Sequence, residues 1–238
     1  MKKCQLLLWG LALAALLGCT EGSQSLPAGT CTPLEEGTKY VALTFDDGPR
    51  RTTTTALLDG LRERGASATF FLVGEDIEGN EDLVERMAAE GHQVGNHTWS
   101  HIRLKGAPPE QVSEELGKTS EKLTEVLGEG TYWVRPPYGQ LDESQKAQIP
   151  VPMVQWSVDS RDWESKNTEK IVTKVLKEVQ PNSIILLHDI YPTSVEAALE
   201  IVDKLQAEGY WFVTVQELLA LNGIQPQPGV LYRSGEKS

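Results

Sequence analysis

The chain has 238 residues, of which 39% are hydrophobic and 24% are charged, and its formal net charge is −12 at pH 7. This length and composition are typical of a globular protein with one large domain, because a β/α barrel alone takes roughly 200 to 250 residues. The excess of acidic residues, without any basic cluster, argues against a nucleic acid or a strongly anionic polymer as a partner.

The N-terminus has the pattern of an exported protein. Two lysines precede an apolar run over residues 6–17, which is short for a bilayer span and is typical of a secretory signal. The run ends in Leu-Leu-Gly-Cys at Cys19 and resembles a bacterial lipobox. We therefore predict a lipoprotein signal peptide over 1–18, lipidation of Cys19 and an extracytoplasmic protein anchored to a bacterial membrane. An ordinary signal peptide that happens to contain this cysteine is the alternative.

Gly, Ser, Thr and Pro dominate the next segment, so we expect a flexible tether over 19–38. From residue 39 to residue 221, short β-rich runs alternate with stretches of helical period. Strands are predicted at 40–45, 68–73, 93–96, 132–134, 153–156, 184–187 and 210–215. Helices are predicted at 52–64, 81–90, 110–127, near 142, and at 168–179, 194–208 and 216–221. Residues 222–238 are expected to form a loosely attached C-terminal tail.

This alternation predicts an α/β fold of about seven units in a single domain, with parallel strands and right-handed crossovers, as a barrel or an open doubly wound sheet. Polar clusters follow five of the strands, on the face where parallel barrels place their chemistry. After the first strand, one of the adjacent Asp46 and Asp47 could bind a metal while the other serves as a base. The alternative is a simple turn with Gly48 and the proline that follows it.

His97 and His101 follow the third strand with an i, i+4 spacing. Two imidazoles one helical turn apart could share a divalent ion, with a carboxylate completing an open three-ligand site. The alternative is that both are ordinary core or surface histidines.

The other clusters follow the fourth, fifth and sixth strands. Arg135 could pair with a catalytic carboxylate, and the prolines after it hold the N–H groups near Tyr138 in a rigid turn that could face an oxyanion. His188, next to a carboxylate, is a candidate general acid. Trp163 and Leu186 offer an apolar wall beside it. Taken singly, each of these clusters also fits a turn or a core position.

Together the five clusters resemble, in the same order, the five motifs of the NodB-homology polysaccharide deacetylases, carbohydrate esterase family four. The matching segments are residues 44–49, 97–101, 135–139, 159–163 and 186–188. The resemblance covers residues 39–221, which we predict to be the deacetylase domain. It implies a distorted (β/α) barrel and metal-dependent removal of acetyl groups from sugars.

The resemblance also implies a role for each site residue. The implied metal ligands are Asp47, His97 and His101, with Zn²⁺ as the predicted ion and Co²⁺ or another divalent ion as alternatives. The implied acid–base residues are Asp46 as general base and His188 as general acid, with Arg135 orienting the base and Asp162 raising the pKa of the acid. The implied substrate contacts are the Tyr138 backbone N–H at the oxyanion, and Trp163 and Leu186 around the acetyl methyl.

We therefore predict a hydrolase that removes N-acetyl groups from N-acetylglucosamine residues of a polysaccharide. Peptidoglycan is the predicted substrate, because a catalyst tethered to a bacterial membrane reaches the cell wall. Chitooligosaccharides and O-acetylated xylan are alternatives, and a catalytically silent carbohydrate-binding domain is the alternative outside the enzymes. A glycosidase has no use for a histidine pair on a metal. The expected partners are the glycan and the lipid anchor, with the protein a monomer.

Overall fold

The structure is a computed structural model that describes residues 37–236. The predicted signal peptide, Cys19 and the tether up to residue 36 lie outside the described residues. Within 37–236, none of the helices combines the length and apolar character that a bilayer crossing requires.

Strands and helices alternate along the described chain. The strands are β1 (Lys39–Asp46), β2 (Ala68–Leu72), β3 (Gln93–Asn96), β4 (Met153–Val154), β5 (Val158–Asp159), β6 (Ile184–His188), β7 (Tyr210–Phe212) and β8 (Leu231–Tyr232). The helices are α1 (Arg51–Arg64), α2 (Gly74–Ile77), α3 (Glu81–Ala89), α4 (Pro109–Leu127), α5 (Glu143–Lys146), α6 (Asp162–Ser165), α7 (Thr168–Glu178), α8 (Pro192–Ala207) and α9 (Val215–Leu221). A short 3₁₀ turn covers Pro137–Gly139.

Strand β1 lies at the centre of a parallel sheet, and its last six residues are all buried. Burial on both faces is typical of a parallel strand covered by helices. The sheet order is β3-β2-β1-β6-β5, and β7 pairs with the first residues of β1. Single bridges from Val134 to Asn96 and to Met153 connect β3 with β4. The predicted α/β fold with parallel strands is confirmed, although the regular ladder does not close into a barrel over the described residues.

The helices cover the sheet with their apolar faces. Leu57 and Leu61 of α1, and Ile201 and Leu205 of α8, are fully buried against the sheet in one hydrophobic cluster. Burial of each such side chain stabilises the fold by about 1.5 to 3 kcal/mol. Helix α1 ends at Gly65, whose φ of 59° is left-handed and suits a residue without a Cβ. This packing holds the strands of the sheet in place and therefore fixes the positions of the strand ends.

Three predicted strands differ from the structure. The fourth, 132–134, is reduced to Val134, which bridges Asn96 and Met153 at a single position, and the prolines at 136 and 137 have no N–H to continue the pairing beyond it. The fifth, 153–156, ends after Val154, and the chain bends before it pairs again as β5. The seventh, 210–215, stops at Phe212, because Thr214 caps α9 and accepts a 3.2 Å hydrogen bond from the Glu217 N–H.

The expectation of a loosely attached segment after residue 221 is wrong for the residues up to 236. Strand β8 pairs in parallel with β4. Arg233 Nε donates to Gln155 Oε1 at 2.6 Å, and the Gly235 N–H donates to the Asn182 carbonyl at 2.8 Å. Two-residue strands among turn formers leave no periodic pattern, so the sequence did not indicate this docking.

Candidate active site

The carboxyl ends of β1, β3 and β6 lie at one edge of the sheet, because all of its strands are parallel. A cavity of about 340 Å³ opens at this edge. It is lined by polar and aromatic side chains: Asp46, Asp47, His97, His101, Tyr138, Trp156, Asp159, Trp163, Leu186 and His188. Eight of these were predicted as site residues from the sequence, and Arg135 and Asp162 lie directly behind the lining.

Three side chains form a group that can hold a metal ion. Asp47, His97 and His101 each offer a ligand atom, and these atoms lie within 4.8 Å of one another. Asp47 Oδ1 is 3.5 Å from His97 Nε2 and 3.2 Å from His101 Nε2. This oxygen is buried and accepts no hydrogen bond from any residue in 37–236. A buried, unpaired carboxylate oxygen facing two imidazole nitrogens fits a divalent ion such as zinc in an open three-ligand site.

The two histidines converge through a loop, so the helical turn assumed from their spacing is wrong. Residues 97–101 are not helical, and His101 has a left-handed φ of 55°. Glu115 on α4 holds this loop, because its Oε2 accepts 2.9 Å hydrogen bonds from the N–H groups of Trp99 and Ser100. The imidazole centroids of His97 and His101 lie 5.0 Å apart. The pair is therefore placed by a contact with a distant helix.

The orientation of His97 is set by a backbone contact. Its Nδ1 lies 2.7 Å from the Arg135 carbonyl oxygen. A carbonyl can only accept, so Nδ1 carries the proton and donates, which leaves the Nε2 lone pair free for a metal.

Asp47 stays ionised at neutral pH. Burial raises its pKa, but the adjacent His97 and the nearby charges of His188 and His101 lower it more, to about 2. The carboxylate form is the one that binds a metal.

Asp46, the last residue of β1, is held by a buried arginine. Arg135 Nη1 donates to Asp46 Oδ1 at 2.7 Å and to Thr44 Oγ1 at 2.8 Å, and Nη2 donates to the Gln155 carbonyl at 2.9 Å. Arg135 is 0% exposed and its guanidinium lies 4.2 Å from the centre of the Phe71 ring. One oxygen of Asp46 is thus bound to the arginine. The other, Oδ2, lies 3.6 Å from His97 Nε2 and faces the metal-binding group.

His188 is held by a second buried carboxylate. Its Nδ1 lies 2.8 Å from Asp162 Oδ1, and its backbone N–H donates to Asp162 Oδ2 at 2.7 Å. Burial lowers the pKa of His188, but the hydrogen bond and charge of Asp162, together with the charges of Asp46 and Asp47, raise it to about 9. The imidazole is therefore protonated at neutral pH and can donate a proton from Nε2.

The predicted oxyanion turn and apolar wall complete the cavity. Tyr138 has a left-handed φ of 61°, and the following Gly139 N–H closes the turn on the Pro136 carbonyl at 2.9 Å. The Tyr138 ring is 53% exposed at the rim, as is the Trp163 ring at 47%, whereas Leu186 is 3% exposed. The wall thus has a buried aliphatic floor and two accessible aromatic rings.

Several residues of the site were missed from the sequence. Thr44 and Gln155 contact Arg135, Glu115 holds the histidine loop, and Trp156 lines the cavity. Asp189 does not face the cavity: its buried carboxylate accepts a hydrogen bond from the Thr54 hydroxyl. Trp156 could have been found by its place at the end of a predicted strand and Thr44 by its place in the first matching segment, but Gln155 and Glu115 depend on distant contacts that carry no local signal.

The parallel α/β sheet carries a His₂–Asp group that could hold a metal ion, a carboxylate held by an arginine and an imidazole held by a carboxylate. This arrangement is typical of metal-dependent hydrolases. The family profile described as polysaccharide deacetylase matches residues 34–149. The chain belongs to this family, carbohydrate esterase family four, as the motifs predicted.

Relatives and a solved structure agree with this membership. The chain is 38% identical over 186 residues to the peptidoglycan-N-acetylglucosamine deacetylase PgdA of Listeria monocytogenes, a match covering 78% of this chain and 40% of that protein. It is 38% identical over 180 residues to the peptidoglycan-N-acetylmuramic acid deacetylase PdaC of Bacillus subtilis, covering 76% and 38%. The chain thus spans about two fifths of the length of these relatives. A family 4 acetyl xylan esterase from Clostridium thermocellum, solved with a cobalt ion, superposes with a TM-score of 0.78 at 32% identity, covering 82% of this chain and 98% of that one.

Proposed function

We propose that this protein is a metal-dependent deacetylase that hydrolyses the N-acetyl groups of N-acetylglucosamine residues in peptidoglycan. One observation carries the proposal: a three-ligand metal group, a base and a protonated acid converge on a single cavity that has an apolar wall. A silent carbohydrate-binding domain needs neither the Arg135–Asp46 pair nor the Asp162–His188 pair, both of which are buried at a cost in desolvation.

Different residues of the site perform different steps of the proposed reaction. When bound to Asp47, His97 and His101, a divalent metal would polarise the acetyl carbonyl and acidify a water molecule. Asp46 accepts the proton of the attacking water through Oδ2, because Arg135 engages Oδ1.

Collapse of the tetrahedral intermediate needs a proton donor, because an amide anion is too basic to leave. His188 supplies that proton to the departing nitrogen from Nε2, while Asp162 retains the Nδ1 hydrogen bond. The Tyr138 backbone N–H is the proposed donor to the oxyanion, and Leu186 and Trp163 enclose the acetyl methyl.

Support for peptidoglycan comes from the relatives and from the N-terminus. The named activities of PgdA and PdaC are on the N-acetylglucosamine and the N-acetylmuramic acid of peptidoglycan. A lipid anchor at Cys19 would hold the catalyst next to the cell wall. The same site would also cleave an acetate ester, whose alkoxide leaves more readily than an amide anion, and the similarity to an acetyl xylan esterase makes this the alternative to test.

The substrate is tested with acetate release from purified peptidoglycan, chitin oligomers and acetylated xylan, measured side by side with zinc or cobalt and after chelation. We expect release from peptidoglycan that stops on chelation. The His101→Ala variant is the matched control. Release from xylan alone would replace the amide activity with an esterase activity, and no metal-dependent release from any of the three would favour the binding domain.

Mass spectrometry of muropeptides from cells with and without the gene identifies the sugar. We expect species that contain glucosamine to disappear on deletion. Loss of deacetylated muramic acid instead, or no change in the muropeptides, would refute the N-acetylglucosamine assignment.

The proposed location has its own test. Cys19→Ser removes the only proposed acylation site, so we expect the protein to leave the membrane fraction. If the variant still requires detergent for extraction, the anchor is the uncleaved apolar run.

A further inference from the structure

Gln155 connects the active site to the C-terminal strand. Its backbone N–H donates to the Tyr232 carbonyl of β8 at 2.7 Å, and its carbonyl accepts from Arg135 Nη2 at 2.9 Å. Its side-chain Nε2 donates to the Gly139 carbonyl, and its Oε1 accepts from Arg233 Nε at 2.6 Å. One residue thus contacts the arginine behind the base, the predicted oxyanion turn and the docked C-terminal segment.

The two side-chain partners fix the orientation of the Gln155 amide. A guanidinium only donates and a carbonyl only accepts, so Oε1 must face Arg233 and Nε2 must face Gly139. A flipped amide would place two donors together at one end and two acceptors together at the other. Arg233 therefore determines that Gln155 presents a donor to the turn.

The turn above Gln155 needs such support. Tyr138 and Gly139 both have left-handed backbone angles, with φ of 61° and 63°, and for a residue with a Cβ such as Tyr138 this conformation is unfavourable. A Cβ on Gly139 would lie 2.8 Å from the Trp156 ring and 3.0 Å from Gln155 Nε2, so both side chains pack directly against the turn. Without them the predicted donor of Tyr138 loses its fixed position.

We propose that Gln155 and Arg233 are positioning residues that hold the oxyanion turn, so that β8 and the residues after it are part of the working active site. Neither residue touches the substrate. Both act through the Gly139 carbonyl on the placement of the neighbouring Tyr138 N–H. This inference rests on the proposed deacetylase function, because the oxyanion role of the turn belongs to that reaction.

The sharpest variant is Gln155→Glu. A glutamate has nearly the same shape and still accepts from Arg233, but it has no donor for the Gly139 carbonyl. We expect kcat to fall about tenfold or more, because the oxyanion donor is displaced by a fraction of an ångström. The KM, the bound metal and the melting temperature should stay close to those of the wild type, since the metal-binding group and the hydrophobic core do not use this hydrogen bond.

Arg233 gives an independent second variant. Arg233→Met removes one of the two partners that orient the amide, so we expect a smaller fall in kcat than in Gln155→Glu, and Arg233→Lys should restore part of it. The matched control is Arg64→Met, which removes a similar exposed contact, from Arg64 Nε to Asp203 Oδ1 at 2.7 Å, at the end of α1. This control should leave kcat unchanged.

Hydrogen exchange at the Gly139 and Gln140 amides reports on the turn without catalysis, because these groups close it with bonds of 2.9 and 3.3 Å to Pro136 and Pro137. We expect faster exchange there in Gln155→Glu and Arg233→Met but not in Arg64→Met. Wild-type exchange and wild-type kcat in Gln155→Glu would overturn the proposal, as would a kcat loss explained fully by lost metal. If the wild type releases no acetate from any substrate, the deacetylase function fails, and the exchange rates alone decide whether the pair holds the turn.

Discussion

Replacement of Asp162 by asparagine separates the charge behind His188 from its geometry. Asp162 is fully buried, and its two oxygens bind the Nδ1 and the backbone N–H of His188 at 2.8 and 2.7 Å. In Asp162→Asn the amide oxygen can still accept from the backbone N–H. The amide nitrogen then faces Nδ1, which must accept a hydrogen bond and therefore carries no proton. The variant keeps the shape of the pair but favours neutral imidazole.

The size of the effect follows from the pKa of His188. Burial lowers this pKa and Asp162 raises it, with a net value of about 9. Without the carboxylate the pKa should fall to about 6.5 or below, since burial then dominates. At pH 8 the protonated fraction would drop from roughly nine tenths to about 3%, so we expect kcat to be about 30-fold lower.

The assay is the pH profile of kcat, with Asp203→Asn, an exposed carboxylate paired with Arg64, as the control. The alkaline limb of the profile should move down by about 2.5 pH units or more in Asp162→Asn, because the acid must be protonated to donate. An unmoved alkaline limb, with kcat lowered equally at every pH, would refute the charge argument and leave Asp162 with only a structural role.

The same pKa predicts a change in stability with pH. The pKa of His188 in the folded protein, about 9, is higher than its pKa in the unfolded chain, so protonated His188 stabilises the fold. This stabilisation is fully present when the pH is below the unfolded-state pKa, and it is lost as the pH rises through 9. For an upward shift of this size the loss is at most about 3 kcal/mol. Denaturant unfolding between pH 6 and pH 10 should show this decline in the wild type and a flatter profile in Asp162→Asn. A flat wild-type profile would contradict it.

Three further predictions concern the metal group and its support. His101→Ala and Asp47→Asn should each lose bound zinc and activity together, because an open three-ligand site has no spare ligand, and full metal content in either variant by elemental analysis would remove that residue from the group. Asp46→Asn should keep the metal and the melting temperature but lower kcat by roughly 10²-fold, as expected for loss of a positioned base, and an unchanged kcat would exclude that role. Gly48→Ala would place a methyl group 2.5 Å from the Asp189 carboxylate, so its melting temperature should fall, whereas an unchanged value would show that Asp189 can move aside.

The elements with a strong local pattern were predictable from the sequence. β1 and α4 differ from their predicted bounds by a residue or so, because buried strands and long amphipathic helices are marked along their whole length. β5 and β8 have two residues each, and only their pairing with β6 and β4, distant in the sequence, makes them strands. No pattern within a short window can indicate such pairing.

The residues of the site also fall into two groups, those that a local sequence pattern predicts and those that no local pattern indicates. The predicted residues lie around one cavity because each belongs to a short motif at a strand end, where topology brings the motifs together. Glu115 and Gln155 come from a helix face and from a bend. What they do depends on which loop or turn packs against them, and this is a property of the tertiary structure alone. The catalytic roles of the predicted residues stay predictions until the variants are measured.

The central position of β1 has a consequence for how firmly each part of the site is held. Both edges of this strand are bonded, to β2 and β6 over its second half, and it ends directly in the two aspartates. Its end cannot open without disrupting the whole sheet, whereas His101 lies in an irregular loop held from α4. The two aspartates are therefore held by the sheet itself, whereas the position of His101 depends on the hydrogen bonds of a single glutamate.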